Sequence, residues 1–149
     1  MANISYYLFI TSDGKASALD ICLKRLEEKK WPIYERTKFR DKLSVNDKII
    51  FYIAGTGPGR QSFIASANIN NIVDLKKETT VDPDKSGVQI FKYIELNNMN
   101  IFKKKIIIDE IINELNFIEN KKNYGLYFVS GVSKIDELSF NLINERALR

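Results

Sequence analysis

The sequence predicts an α+β fold in which a compact β-barrel is flanked by a few helices. Two observations carry this. Aromatic and β-branched runs of strand length recur along the chain with turn residues between them, while few segments show helical spacing. The order of elements is one strand, one helix, a run of strands, then helix, strand and helix, which joins strands as hairpins rather than through the alternating helices of a doubly wound sheet. At 149 residues, 44% apolar and 11% aromatic, the chain matches one domain over 1–149 with an ordinary hydrophobic core.

Ile4 to Thr11, ISYYLFIT, carries no charge and is dense in aromatic and β-branched residues, the composition of a central strand buried on both faces. Thr11-Ser12-Asp13-Gly14 supplies turn and cap chemistry ahead of a helix over Lys15 to Lys29, whose stripe of Leu19, Cys22, Leu23 and Leu26 lies on the sheet. Leu43 to Lys48 forms a turn with Asn46-Asp47 at its tip, before a strand from Ile49 to Ala54 that pairs as a hairpin with Gln61 to Val73. Between these strands, Gly55 to Arg60 is glycine-rich but lacks the Gly-Lys-Ser/Thr ending and following helix of a phosphate loop, so it reads as a plain hairpin loop.

Leu75 to Gly87 is the most polar stretch, an exposed, mobile connection that can also fold over a ligand. Val88 to Leu96 is a further strand of the same sheet, closed by a turn at Asn97 to Asn100. Lys103, Lys104 and Lys105 are solvated and precede a helix whose stripe is Ile108, Ile111, Ile112 and Leu115. Phe117-Ile118 leads through Glu119 to Tyr124 into a short strand, Gly125 to Val129. Asp136 caps a C-terminal helix, with Ile135 stapled on Phe140.

Composition removes several chemistries. One cysteine, Cys22, excludes an internal disulfide and a thiolate metal cluster, and the absence of histidine removes His-based zinc sites and His-assisted nucleophiles. Cys22 reads as a core thiol, and neither metal nor cofactor is expected. No apolar run reaches the roughly 18 residues of a membrane span, and Ile4 to Ile10 lacks a basic leader and cleavage site, so a cytoplasmic protein without membrane contact is expected. Residues 24 to 48 hold nine Lys/Arg against five acids, while the remainder balances at 14 each. Local positive charge of this size suits a small anionic footprint rather than long wrapping of a duplex.

Within that basic segment lies Trp31 to Arg40, WPIYERTKFR, which holds the only tryptophan. Indole is poorly accommodated by water, and Pro32 stops the preceding helix, so Trp31 walls a pocket or caps the core in a loop.

The order and spacing of five segments resemble the EVE domain of the PUA-like superfamily, a relative of the YTH readers of methylated RNA, over nearly the whole chain. They are Tyr6-Tyr7-Leu8-Phe9-Ile10-Thr11, Trp31 to Arg40, Asn46 to Tyr52, Phe117 to Lys122 with Tyr124, and the Asp136 to Ile143 helix. The resemblance implies a curved mixed β-barrel flanked by helices, with a pocket for one flipped, modified nucleobase of DNA or RNA and no turnover. It assigns a pocket wall to Trp31, contacts with the base edge to Thr11 and Ser12, and backbone lining to Pro32 and Ile33. Tyr34 and Tyr124 are candidates for further walls or for packing residues with solvated hydroxyls. Arg36, Lys38, Arg40, Lys121 and Lys122 are the candidate phosphate contacts. Tyr7 and Tyr124 stand where many members have tryptophan, and Val88-Gln89-Ile90-Phe91 replaces the Tyr-Pro-Tyr-like approach of some.

Three functions stay open at this point. The first is a modified-base reader, with a restriction or RNA-modification partner in trans as a further candidate. The second is a small PUA-like hydrolase or nuclease using Lys38 and Glu35, against which the lack of histidine argues. The third is a non-catalytic protein-interaction module with Trp31 in its core.

Overall fold

The structure, a computed structural model, describes residues 3–75, 80–85, 88–122 and 131–148. In chain order the elements are β1 (Tyr6–Thr11), α1 (Ala18–Glu28), β2 (Lys30–Tyr34), β3 (Lys48–Ile53), β4 (Ser62–Asp74), β5 (Thr80–Val81), β6 (Gln89–Ile107), α2 (Ile108–Ile111), β7 (Val132–Ile135) and α3 (Glu137–Ala147). A 3-10 turn at Ile112–Glu114 extends α2.

The strands form one seven-stranded mixed sheet in the order β2-β6-β4-β3-β1-β7, with β5 paired to β6 off this path. Among the described strands only β1 and β3 are parallel, Phe9 lying opposite Phe51. β1 is central, as its uncharged sequence requires, with β3 on one side and β7 on the other. Strand pleating sends Tyr7 and Phe9 to one face and Leu8 and Ile10 to the other. Two hydrophobic clusters result. The first is closed by Ala18, Cys22 and Leu26 of α1 and takes in Trp31 and Ile33. The second is closed by Ile108 and Ile111 of α2 and by Phe140 and Ile143 of α3. Asp136 caps α3, its carboxylate accepting from the Ser139 amide at 3.1 Å, and Ile135 and Phe140 share the second cluster.

The sheet curls because its longest strands are bulged. Over 13 and 19 residues, β4 and β6 shift register at three places, and each bulge bends the strand and increases its twist. The N-terminal half of β6 therefore carries β2 round until Trp31 meets Phe9 of β1 and Phe51 of β3, with ring centroids 5.7 and 4.9 Å apart. The result is a half-barrel with three helices.

Several expectations are corrected. The first helix begins at Ala18, capped by Ser17, whose hydroxyl accepts from the Asp20 amide at 3.2 Å. Asp13 contributes from outside the helix: Oδ1 accepts from Ala18 N at 2.9 Å and Oδ2 from Thr56 N at 3.1 Å, so the glycine-rich loop spends an amide on the protein itself. That loop is a hairpin connection, with Gly55 and Gly59 at φ 88° and 73°. The buried stripe of α1 includes Ile21 and Arg25, while Leu23 is exposed. The expected turn at Asn97 to Asn100 is strand, because pairing with β4 carries β6 through it, with Asn98 in the left-handed region at φ 50°. Lys103 to Lys105 belong to that strand, and the helix after them is a single α turn. Residues Lys30–Tyr34 form an edge strand rather than a loop. Leu75 to Gly87 is not wholly an exposed connection, since it contributes β5 and a buried Asp82. The expected strand Gly125 to Val129 lies outside the described residues.

Candidate functional site

Among the described residues the two ends of the strand order do not pair, and a cavity of about 190 Å³ lies between them. One wall is β2, contributing Trp31, Pro32, Ile33 and Tyr34; the opposite wall is the end of β1 with Ser12, and Gly131 and Val132 at the start of β7. Arg25 reaches it from α1, and Thr37 and Lys85 come from loops. A groove of about 250 Å³ between Lys103–Lys105 and the end of α3 is larger but has no aromatic wall. The seam cavity combines a concave aromatic surface with convergent polar groups.

Trp31 is only 2% exposed. It both packs in the core and walls the cavity, so the two readings of this residue are not alternatives. Arg25 is 5% exposed, and its guanidinium lies over the indole with Cζ 4.9 Å from the ring centroid. A buried guanidinium needs a counter-charge, and Asp82, 1% exposed, supplies it at 3.2 Å. The Tyr34 hydroxyl joins the pair, accepting from Arg25 Nη2 at 3.0 Å and donating to Asp82 Oδ2. Burial pushes the Tyr34 hydroxyl well above the ordinary tyrosine range, with the Arg25 charge opposing and the bond to Asp82 adding to the rise. Its ring therefore lines the cavity while its hydroxyl is committed to the protein.

Residues 82–85 strap this wall down. Asp84 pairs with Lys24 at 2.9 Å and its carbonyl accepts from Lys15 N at 2.9 Å. Lys85 Nζ donates to Ser12 Oγ at 2.6 Å across the cavity. Burial, and secondarily the Arg25 charge, holds the Lys85 ammonium below the ordinary lysine range. Gly14 is required beneath the strap, since a Cβ there would stand 2.4 Å from the Asp84 carbonyl oxygen.

Ser12, Trp31, Pro32, Ile33 and Tyr34 thus converge on one cavity. Thr11 does not line it: the strand's alternation turns Thr11 inward, where it is buried. Cys22 is a buried core thiol, pushed up to about 12 by burial. Arg36 and Lys38 are exposed after β2, and Lys122 is exposed. Arg40 is engaged by its own surroundings, donating to the Glu35 carbonyl, pairing with Asp41 at 3.4 Å and lying 4.4 Å over the Phe91 ring. Lys121 donates to the carbonyls of Leu115 and Ile118, closing the turn after α2. Tyr124 lies outside the described residues. Glu35 and Lys38 are exposed, form no ion pair with each other and do not line the cavity. Sequence reasoning missed Arg25, Asp82 and Lys85; the available signal was a cation on the apolar stripe of α1, three residues after Cys22.

The described residues form a mixed, curled half-barrel sheet with helices on both faces, an α+β architecture that matches the PUA-like fold. Among solved structures the chain is similar to human THYN1 in complex with 5-methylcytosine-containing DNA, at 12% identity and a TM-score of 0.62 over 97% of this chain and 98% of that one. It is similar to a protein of Pseudomonas putida at 15% identity and a TM-score of 0.62, covering 96% and 99% of the two chains. The N-terminal domain of Staphylothermus marinus McrB matches at 9% identity and a TM-score of 0.51, covering 97% and 96%. No family model and no curated protein matches the sequence. No helix among the described residues is long and apolar enough to cross a membrane.

Proposed function

We propose that the chain, as one module over 1–149, binds nucleic acid by taking a single modified base, flipped out of DNA or RNA, into the Trp31 cavity, without turnover. The observation that carries this reading is the size and lining of the cavity. At about 190 Å³ it is smaller than the ~300 to 1,000 Å³ of drug-sized ligand sites, yet larger than the ~150 Å³ that holds benzene. One substituted ring fits. Trp31 and Tyr34 line the cavity, and base–aromatic stacking is worth about 1 to 3 kcal/mol per base.

Flipping takes a few kcal/mol, which stacking and backbone contacts must offset. Arg36, Lys38 and Lys122 are the exposed cations suited to phosphate; Arg40 and Lys121 are weaker candidates because each already serves a protein acceptor. The shared fold with THYN1, solved on 5-methylcytosine DNA, supports the same kind of ligand. A partner nuclease or modifying enzyme in trans, and a cytoplasmic site of action, belong to the same reading. The hydrolase alternative loses ground because Glu35 and Lys38 lie outside the cavity lining.

Fluorescence anisotropy with labelled single-stranded and duplex oligonucleotides tests the proposal. Modified cytosine, uracil or adenine in one sequence context should bind at least tenfold more tightly than the unmodified oligonucleotide. Equal affinity for every modified and unmodified strand sinks it.

A further inference from the structure

The polar side of the cavity is one-sided in its hydrogen bonding. An ammonium carries three donors and no acceptor, and Lys85 uses one of them on Ser12 Oγ at 2.6 Å. Ser12, having accepted from a cation, is left with its own O–H to give. Lys85 has no ion-pair partner among the described residues, and the carboxylates whose charge reaches it, Asp82 and Asp13, lie outside the cavity lining. The other cation there is cancelled, because Asp82 neutralises Arg25. No carboxylate or amide side chain lines the cavity among the described residues, and Asp82 itself faces the far side of the wall. The Tyr34 hydroxyl is spent on Asp82, and the Thr37 hydroxyl already accepts from the Tyr34 amide at 3.0 Å, leaving its proton to donate.

A base entering this cavity meets N–H and O–H groups under positive charge. A carbonyl oxygen at ring position 4 is attracted and hydrogen-bonded there; an exocyclic amino group turns its positive hydrogens toward an ammonium and meets no carboxylate or amide side chain among the described lining residues.

We infer that Lys85 and Ser12 form a donor pair that selects the base by the carbonyl at ring position 4, so that the cavity takes a modified keto pyrimidine, a 5-substituted uracil, in preference to a modified amino base. This rests on the base-reading function proposed above. Lys85 acts on the ligand directly, and residues 82–84 hold it in place through Asp82 on Arg25 and Asp84 on Lys24.

The discriminating ligands are oligonucleotides of one sequence carrying 5-hydroxymethyluracil or 5-hydroxymethylcytosine, which present a carbonyl or an amino group at ring position 4 and differ in the hydrogen on N3, with N6-methyladenine as a purine control. The wild-type chain should bind the uracil form about tenfold or more over the cytosine form and over the adenine form. Lys85→Met keeps the length of the side chain and removes its donors; it should bring the uracil-to-cytosine ratio to within about twofold, and Lys85→Arg should restore the preference. A structural role for Lys85 would weaken both ligands equally and leave the ratio unchanged. Equal or tighter binding of the cytosine form by wild type overturns the inference while leaving the base reader intact, as does a ratio that Lys85→Met does not move. Binding no better than the unmodified oligonucleotide for all three bases removes the reader and the inference together.

Discussion

Arg25 and Asp82 lie 57 residues apart in the chain and form a buried ion pair, Nη2 to Oδ2 at 3.2 Å, that fixes the guanidinium over the Trp31 ring. Removing one member strands the other charge in a dry site. Asp82→Ala should therefore lower stability by about 3 to 5 kcal/mol, measured by urea unfolding. Asp82→Asn should cost less, since it retains a hydrogen-bond acceptor. The double variant Arg25→Met with Asp82→Leu should recover much of the loss, because an apolar pair leaves no buried charge uncompensated.

Gly14 sits where a side chain would strike the strap. In Gly14→Ala the new Cβ stands 2.4 Å from a backbone oxygen, so the strap must move. The expected cost is about 1 to 3 kcal/mol by thermal or urea unfolding, in the range of overpacked sites. A matched Gly131→Ala, where nothing lies within 4 Å, should leave stability within about 0.5 kcal/mol.

Asp13 joins the start of α1 to the β3–β4 loop by two backbone bonds, and those bonds hold its carboxyl below the ordinary value of 3.8. A depressed carboxyl stabilises the fold above its unfolded pKa and loses that contribution as pH falls through the folded one. The melting temperature of wild type should exceed that of Asp13→Asn at pH 7, and the gap should narrow as pH drops below about 4. A gap unchanged down to pH 2 would show that the charge is not what Asp13 contributes.

Cys22 is governed by the opposite sign. Its thiol, pushed up to about 12 by burial, stays protonated in the fold, so its contribution is intact below the unfolded value of about 8.5 and is lost as pH rises toward the folded one. At pH 8 the native protein should not react with a thiol reagent over hours, and should react fully once unfolded in urea. Rapid modification of the native protein would place Cys22 at the surface.

Much of the fold was legible because local composition and long-range pairing agree. β1 could be read as central from an uncharged aromatic run, and the β3–β4 hairpin from its glycine-rich loop. Legibility failed where pairing overrode local preference: the asparagines from Asn97 to Asn100 look like a turn, but β4 draws them into a bulged strand. Trp31 to Tyr34 could be found as a cluster though not as a strand, because its partner on β6 lies some 60 residues on. The polar half of the site was hidden for a related reason. Lys85 and Ser12 are separated by 73 residues, and nothing local to either shows that the fold brings them within 2.6 Å.

Trp31 is the only tryptophan and lines the cavity, so its fluorescence reports the site without any label. Substituting it is a poorer test, since Trp31 also packs on Phe9 and Phe51 and its truncation damages the core by about 3 to 5 kcal/mol. The most direct measurement is a titration of the intact chain with a single-stranded oligonucleotide carrying one 5-hydroxymethyluracil, alongside the same strand with thymine there, following Trp31 emission. A base stacked in the cavity should give a saturable quench with the modified strand, at concentrations where the thymine strand gives little change. Identical responses to the two strands, or no response across modified uracil, cytosine and adenine, would contradict a base-binding role for the Trp31 cavity.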